Sequence, residues 1–329
     1  MFKKIGIYGE SWTGTLPQLL HSSLQDKGVE VSLFDYSDIM PGIKNRTLVS
    51  KIMRRLFYKI YVVLININFL KYVYDNNPDV IIVIKGLDIR VDTLEKIKRE
   101  GVKLINWNPD DFFNMKNSNK NLITSINQYD IIISSRPHLF EKYYKFGANK
   151  MIFIDWYYVS ELHSPQNKKK DIEISFVGSW SEYREKFIDQ IGIKFVIKGS
   201  GWEKSALEFK KRHDVDPRIL SQREMSEIFE RSCINLNILT PDNSDLSNLR
   251  FFEVPASGGL LLTEKNSVSV SYLEDKKECF MYSSAEEARK IIINNNNDLD
   301  AISKAGYLRI KKDRHSFSDR VIELLKSIA

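Results

Sequence analysis

The chain has 329 residues, of which 43% are hydrophobic and 28% charged, and its formal net charge is +6. This length is typical of two domains of ordinary size, and the composition is ordinary for a folded protein. The two cysteines, Cys233 and Cys279, are far apart, and neither a Cys-x-x-Cys nor a His-Glu-x-x-His spacing occurs, so a disulfide framework or a structural zinc site is not expected.

Short apolar runs alternate with helical patterns through the first half of the chain. The predicted strands are Lys4–Tyr8, Val29–Phe34, Val80–Ile84, Lys103–Trp107, Asp130–Ser134 and Met151–Ile154. The predicted helices are a segment with Leu16, Leu19, Leu20 and Leu24, then Thr93–Glu100 and Leu139–Phe146. A wholly apolar strand such as Val80–Ile84 indicates burial on both faces, as in a parallel sheet covered by helices. The alternation predicts a doubly wound α/β domain.

A basic segment free of acidic residues lies between Pro41 and Ile60. Its basic residues are Lys44, Arg46, Lys51, Arg54, Arg55 and Lys59. The segment is either a solvated helix face or a surface attracted to anionic lipid or an anionic acceptor. Nucleic acid is not expected as a partner, because no recognised binding motif accompanies the charge.

The apolar runs of the sequence predict no membrane-spanning helix. The longest, Tyr61–Tyr72, is broken by polar residues and is shorter than the roughly 20 residues that a spanning helix needs. The first residues lack the apolar run of a signal peptide. We therefore expect a cytoplasmic protein, with peripheral contact at the inner face of the membrane through the basic segment as an open alternative.

A polar stretch around residues 160–171, rich in lysine and containing Pro165, predicts a linker. Strand–helix alternation then resumes. The predicted strands are Glu173–Val177, Lys194–Lys198, Cys233–Ile238, Leu260–Thr263 and Cys279–Tyr282. The predicted helices are Glu182–Ile191, Lys204–Arg212, Gln222–Ser232, one ending near Ala256, Ala285–Asn294, Leu299–Asp313 and Ser318–Ile328. The sequence thus predicts two Rossmann-like domains, residues 1–160 and 161–329, that face each other across a cleft, with the last helix packing back on the first domain.

The segment from Asn248 to Glu264 is the most informative for function. A short helix carries Arg250 and Glu253 three residues apart, and Gly258 and Gly259 precede an apolar strand. A carboxylate is suited to binding two vicinal ribose hydroxyls, and an arginine can form a fork to phosphate oxygens. Backbone at a glycine pair can approach a ligand closely. The alternative is an ordinary helix with an Arg–Glu surface pair and a glycine stop.

This Arg-x-Phe-Glu-x-x-x-x-Gly-Gly pattern resembles the CgeB-like glycosyltransferases, described as glycosyltransferase family 1-like proteins. Other segments resemble the same family. They are Ile174–Ser179 followed by Arg184, Phe195–Trp202, Met225–Ile238, Ala305-Gly306 with His315–Arg320, and Trp107-Asn108-Pro109-Asp110-Asp111. The resemblance covers roughly residues 78–329 and is strongest in the second half.

The resemblance implies a GT-B fold and a transferase that moves a sugar from a nucleoside diphosphate sugar, with a UDP-sugar favoured. The second domain would bind the donor and the first would bind a glycan or lipid-linked acceptor, in cell-surface polysaccharide synthesis. No metal or other cofactor would be required. Related enzymes often have an acidic residue at the position of Asp245; its role stays open, because a loop aspartate that caps the next helix is equally compatible.

Individual roles follow as hypotheses. In the donor site, Glu253 would bind the ribose, Arg250 and Lys198 would neutralise the departing diphosphate, Gly178 and Ser179 would offer backbone amides, and Gly258 and Gly259 would line the pocket. In the first domain, Asp111 is the first candidate for a general base, with Asp110 second and Glu10 third.

Three alternatives differ in class. Asp214-Val215-Asp216 has the form of the Asp-x-Asp motif of metal-dependent GT-A transferases, but it follows a basic helix where such a motif normally ends a buried strand. A binding or coat protein without catalysis could use the same fold. A nucleotide-sugar epimerase is the third.

Overall fold

A computed structural model of the chain describes residues 4–42, 47–239, 241, 245–294 and 298–328. Lys44 and Arg46 of the basic segment lie outside the described residues. The chain divides into two compact units. The first unit consists of the chain up to Asp155 together with the chain from Arg320 onward, and the second unit is Trp156–Asp319.

The first unit is built on a six-stranded parallel sheet in the order β2-β1-β3-β4-β5-β6. Its strands are β1 Lys4–Gly9, β2 Glu30–Asp35, β3 Val80–Ile84, β4 Lys103–Trp107, β5 Ile131–Ser134 and β6 Met151–Phe153. Its helices are α1 Leu16–Asp26, α2 Leu48–Asn76, α3 Val91–Arg99, α4 Lys120–Thr124 and α5 Phe140–Lys145. The winding direction reverses between β1 and β3, which pair side by side. In sheets of this kind ligands bind beyond the carboxyl ends of the two strands at the reversal point, which are β1 and β3 here.

The second unit repeats this plan with the strand order β12-β11-β10-β7-β8-β9, again all parallel. Its strands are β7 Ile172–Val177, β8 Val196–Lys198, β9 Asp214–Asp216, β10 Ser232–Leu236, β11 Leu261–Glu264 and β12 Phe280–Tyr282. Its helices are α6 Glu182–Ile191, α7 Leu207–Arg212, α8 Gln222–Arg231, α9 Leu249–Ala256, α10 Ser269–Tyr272, α11 Ala285–Ile293 and α12 Leu299–Lys312, followed by α13 Phe317–Ile328, most of which belongs to the first unit. Here the winding reverses between β7 and β10.

The predicted α/β class with two Rossmann-like sheets is confirmed, and one edge strand was missed. Asp214-Val215-Asp216 forms β9, and Lys198 Nζ lies 3.7 Å from Asp214 Oδ1 and 3.9 Å from Asp216 Oδ2. These carboxylates therefore already face a cation of the protein. The arrangement argues against the GT-A interpretation, which needs both carboxylates for a metal.

Helix α2 is not among the helices predicted from the sequence, where a solvated helix face is only one interpretation of the basic segment. The Thr47 side chain caps its first turn, the backbone departs from helical geometry at Phe57, and the helix continues to Asn76. Ile65, Phe69 and Val73 on its second half are buried in the core of the first unit. By length and composition alone this helix could cross a membrane, so the length argument drawn from Tyr61–Tyr72 does not hold for the whole helix.

A close backbone approach between two loops depends on Gly199. Its φ is +137°, and a Cβ there would overlap the carbonyl group of Gly178. Gly199→Ala is therefore expected to destabilise the second unit by about 2 kcal/mol through strain and overlap. The matched control is Gly192→Ala, whose φ is +67° but whose Cβ would meet only the far end of the Arg289 side chain within 3.5 Å. Thermal unfolding of the two variants tests this; equal melting temperatures would refute the overlap.

Candidate functional site

Two arginines meet beyond the carboxyl end of β7, where the second sheet reverses its winding. Arg184, in the first turn of α6, donates from Nη1 to Ser179 O at 2.9 Å and to Ser179 Oγ at 3.1 Å. Its Nη2 donates to Ile238 O, 3.1 Å away in the loop after β10. Arg184 therefore joins the loops that follow the two strands at the reversal point. Its buried Nε has no hydrogen-bond partner in the described part of the chain.

Arg250 reaches the same edge from α9. Its Nε donates to Val177 O, the last residue of β7, at 3.1 Å, and its Nη1 pairs with Glu253 Oε2. Burial of the Arg184 guanidinium and, to a smaller extent, the positive charge of Arg250 lower the pKa of Arg184 to about 10. The two guanidinium groups are thus close enough to repel each other, and of the two only Arg250 has a carboxylate partner among the described residues. An anion beside them would relieve this repulsion.

Glu253 is buried within the second unit, with 4% of its side chain exposed. One carboxylate oxygen pairs with Arg250, and the other lies 3.8 Å from Nε2 of buried His163. Nδ1 of that histidine lies 3.0 Å from Val159 N and 3.2 Å from Val159 O, and its Nε2 faces Glu253. Burial lowers the pKa of His163, and this favours the neutral form. A nucleotide would have to open the pair with Arg250 to reach this carboxylate, so the predicted ribose contact has no support from this geometry.

Gly178 and Ser179 lie beside Arg184, as the sequence led us to expect, but the Gly178 amide is already used. Gly178 N donates to Lys198 O at 2.9 Å, and Gly178 O accepts from Trp202 Nε1 at 2.9 Å. Ser179 is exposed, and its hydroxyl is within reach of Arg184. Of this pair, only Ser179 is placed to contact a ligand.

Lys198 points into a different region from the two arginines. Besides its contacts with β9, it lines a cavity of about 450 Å³ that also includes Arg218 and Arg231. The described residues that line this cavity do not include Arg184 or Arg250. The structure therefore gives no support to a shared diphosphate site for Lys198 and Arg250.

The prediction that Gly258 and Gly259 line the donor pocket is corrected by the direction in which α9 runs. This helix begins near the carboxyl end of β7 and ends before the amino end of β11, so Gly258 and Gly259 follow its far end. A Cβ on Gly259 would meet Phe229 O at 2.6 Å, and one on Gly258 would meet Pro165. The glycine pair therefore serves close packing and does not line a pocket with Arg250.

Asp245 is not the cap of α9. The Asn248 side chain accepts from Phe251 N at 3.1 Å and occupies that position, so the capping role considered for Asp245 is wrong. Asp245 lies in the loop between β10 and α9, next to residues 242–244, which are outside the described part of the chain.

The first unit places the three predicted acids at the carboxyl edge of its sheet. Asp111 Oδ1 accepts from Phe113 N at 2.7 Å, so it caps a turn. Asp110 Oδ2 lies 2.8 Å from Lys85 Nζ. Glu10 accepts a hydrogen bond from Tyr36 Oη at 2.8 Å through Oε1.

Asp88 is an acid at this edge that the sequence interpretation missed. It follows β3, the strand next to β1 at the reversal point, and accepts from Tyr58 Oη at 2.5 Å. Burial raises the pKa of Asp88, Tyr58 lowers it, and the nearby charge of Glu10 raises it further. The sequence could have indicated Asp88 by its position, because it lies four residues beyond β3, a strand whose residues are all apolar.

Metal ligands do not cluster in the described ranges. No group of three or more histidine, cysteine, aspartate or glutamate side chains there could hold an ion. The predicted independence of metal stays a prediction.

The comparisons with known proteins bear on the unit that carries the arginine pair. Residues 183–326 match the family model described as glycosyl transferase-like. The second unit resembles glycosyltransferases. The matched region includes Arg184, Arg250 and Glu253. The match to this general family model does not show whether the chain belongs to the CgeB-like subfamily. No curated protein matches the sequence significantly.

Solved structures of similar fold cover both units. Sucrose-phosphate synthase from Thermosynechococcus elongatus matches with a TM-score of 0.72 at 10% identity, over 99% of this chain and 98% of that one. HepE from Anabaena in complex with UDP-glucose has a TM-score of 0.66 at 10% identity, over 99% and 100%. A glycosyltransferase from Rickettsia africae has a TM-score of 0.63 at 11% identity, over 98% and 97%. At these identities the likeness shows the fold, which is GT-B.

Proposed function

We propose that this protein is a glycosyltransferase that uses a nucleoside diphosphate sugar, with a UDP-sugar as the favoured donor. The observation that carries the proposal is the Arg184–Arg250 pair at the reversal point of a unit that matches a glycosyl transferase-like family model. HepE, which has the same fold, was solved in complex with UDP-glucose, and this supports the choice of donor. The CgeB-like subfamily, a polysaccharide pathway and independence of metal belong to the same proposal.

In this proposal the arginine pair binds the donor diphosphate. Arg184 has no carboxylate partner in the described part of the chain, because its hydrogen bonds there go to carbonyl and hydroxyl oxygens. A diphosphate beside it supplies the missing negative charge in a partly buried site, where such an interaction is stronger than in water. Ser179, on the exposed side, adds a hydroxyl.

The reaction breaks the bond between the anomeric carbon and a diphosphate oxygen and forms a bond from that carbon to an acceptor oxygen. Negative charge grows on the departing diphosphate, so guanidinium groups fixed beside it stabilise the transition state more than the bound donor. Glu253 acts on this step through Arg250, whose guanidinium it holds against β7. Its role in the proposal is therefore that of a positioning residue, and direct ribose contact is the alternative that the experiments below separate.

The first unit binds the acceptor in this proposal, with Asp88 and Glu10 as its acidic contacts. The hydroxyl of the acceptor must lose a proton, and a carboxylate whose pKa is raised, as burial raises that of Asp88, is a better proton acceptor than an ordinary one. Asp110 and Asp111 are weaker candidates, because the first is paired with Lys85 and the second caps a turn.

Asp88→Asn is expected to lower kcat at least about tenfold, because the amide cannot accept the proton and neighbouring Glu10 replaces it only in part. UDP affinity should stay unchanged. Steady-state kinetics together with calorimetric titration of UDP measure both quantities. Asp111→Asn is the matched control and should retain most of the activity. The reverse order of effects would return Asp111 to the role that the sequence suggested.

The proposal as a whole is tested by a thermal-shift screen of nucleotides and nucleotide sugars, followed by turnover assays with the best ligand. A ligand that binds only the native state stabilises it by an amount that grows with the logarithm of concentration over Kd. We expect nucleoside diphosphates to stabilise the protein and the cognate donor to be hydrolysed slowly without acceptor. Stabilisation without any turnover would favour a binding protein, and conversion to another nucleotide sugar would favour an epimerase.

A further inference from the structure

Helix α2 exposes apolar side chains to solvent from Val49 to Ile67. Val49, Ile52 and Leu56 recur at helical spacing before the break at Phe57, and Ile60, Val63 and Ile67 do so after it, so each set lies along one face of its own segment. All are exposed: Leu56 by 70%, Ile60 by 55% and Ile67 by 59%. Every residue from Lys51 to Ile60 is exposed, and Tyr58 joins this stretch to the first unit through its bond to Asp88. Apolar side chains exposed over this length, here called the apolar stripe, mark an interaction surface.

The charges beside the stripe are all positive. Lys51, Arg54, Arg55 and Lys59 accompany it, and no acidic residue occurs between Thr47 and Tyr74. Arg55 and Lys59 lie on either side of the break at Phe57, within the same exposed stretch. A solvated helix normally mixes both signs of charge. This composition fits a partner that is negatively charged at its surface and apolar just beneath it.

The second half of the same helix is fixed in the protein. Ile65, Phe69 and Val73 are buried in the core, and Phe69 contacts the ring of Tyr8 with centroids 4.8 Å apart. Asn66 donates to Asp88 O at 2.8 Å and accepts from Arg90 N at 2.9 Å. If α2 crossed a bilayer, these side chains would leave the core of the first unit and the Asn66 bonds would break. The helix is therefore suited to lie on a membrane and not to span it.

We propose that the exposed face of α2 docks this protein on an anionic lipid surface. The apolar stripe enters the boundary between headgroups and acyl chains, while Arg55, Lys59 and the neighbouring basic residues contact anionic headgroups. A second copy of the chain is the other occupant to consider. It fits less well, because pairing two such stripes would bring the basic residues of both copies together.

Vesicle flotation of the full chain tests the proposal. The protein should float with vesicles of 30% phosphatidylglycerol in phosphatidylcholine and should stay unbound with phosphatidylcholine alone. Arg55→Glu/Lys59→Glu should weaken binding at least about 30-fold, since each basic residue near an anionic surface contributes on the order of 1 kcal/mol and the new acidic residues add repulsion. Leu56→Ser/Ile60→Ser should weaken it about as much through lost apolar contact. Arg54 is left intact, because its charge acts on Asp88.

Matched controls separate this surface from general charge and hydrophobicity. Lys168→Glu/Lys169→Glu makes the same change in net charge at exposed residues of the second unit. Leu207→Ser/Leu308→Ser removes leucines exposed by 74% and 55%, close to the values at the stripe. Both controls should float like the unaltered protein, and all variants should keep its melting temperature. Equal loss in a control pair would overturn the proposal.

Two further outcomes would also overturn it. If sedimentation shows a dimer that Leu56→Ser/Ile60→Ser dissociates, while vesicles bind neither form, the stripe is a self-association surface. If vesicle-bound protein resists both 1 M salt and alkaline carbonate, α2 has inserted across the bilayer. Release by salt supports docking at the surface. Vesicle binding needs neither nucleotide nor turnover, so its failure would leave the proposed transferase activity untouched.

Discussion

Arg184→Gln is expected to weaken UDP binding on the order of 100-fold and to lower kcat/KM further. The guanidinium is held at the carboxyl end of β7 by Ser179 and Ile238, and no carboxylate among the described residues pairs with it. Its loss removes both the charge and the donors offered to a diphosphate, and truncation of such a buried charge-assisted contact typically costs about 2–5 kcal/mol. Isothermal titration calorimetry with UDP measures the affinity, and steady-state kinetics measure the rate.

Two companion variants make this result specific. Arg184→Lys keeps the charge but loses the fork, so it should recover part of the affinity. Lys198→Gln removes a cation from the neighbouring cavity and should change UDP affinity by less than about threefold, because Lys198 faces Asp214 and Asp216. If Lys198→Gln weakens UDP binding more than Arg184→Gln does, the diphosphate contacts Lys198, which the sequence predicted together with Arg250.

Glu253→Ala is expected to lower the free energy of unfolding of the second unit by about 3 kcal/mol. The carboxylate is buried against Arg250, and removing one partner of a buried ion pair leaves the other charge without compensation. Thermal and urea unfolding measure the loss. Saturating UDP should restore part of the stability, because its phosphates replace the missing negative charge beside Arg250. A variant as stable as the unaltered protein would contradict the buried pair.

The same variant separates the two roles considered for Glu253. If this residue only positions Arg250, Glu253→Ala should weaken the binding of UDP and the binding of inorganic pyrophosphate by similar factors. If it binds the ribose, UDP should lose affinity while pyrophosphate does not. Glu253→Gln keeps the side-chain volume and serves as the folded comparison should the alanine variant be too unstable for titration. We expect the parallel loss.

Much of the architecture could be predicted from the sequence because apolar strands and helical periodicity are local signals. Val80–Ile84, Lys103–Trp107 and Glu182–Ile191 have the predicted bounds. Edge strand β9 was missed because its residues are polar and it is only three residues long. Helix α2 was missed because its first half is exposed and basic, and only its second half carries a core-facing pattern.

The candidate site was harder to predict, because its residues come from different loops. Arg184 was noticed as part of a resemblance, but its place opposite Ile238 depends on β7 and β10 being neighbours. Asp88 required the knowledge that β1 and β3 pair. The glycines that follow the Arg-x-Phe-Glu segment show the opposite problem, because residues close in sequence were wrongly expected to share a site. Gly258 and Gly259 follow Glu253 closely in sequence, yet a helix carries them to the other end of the sheet.

The most direct test of the diphosphate site is a crystal structure of the full chain with UDP bound. We predict phosphate oxygens within hydrogen-bond distance of the Arg184 and Arg250 guanidinium groups, beside the carboxyl ends of β7 and β10. Phosphates bound at Lys198, or anywhere else with both arginines left in their present contacts, would contradict the proposed site.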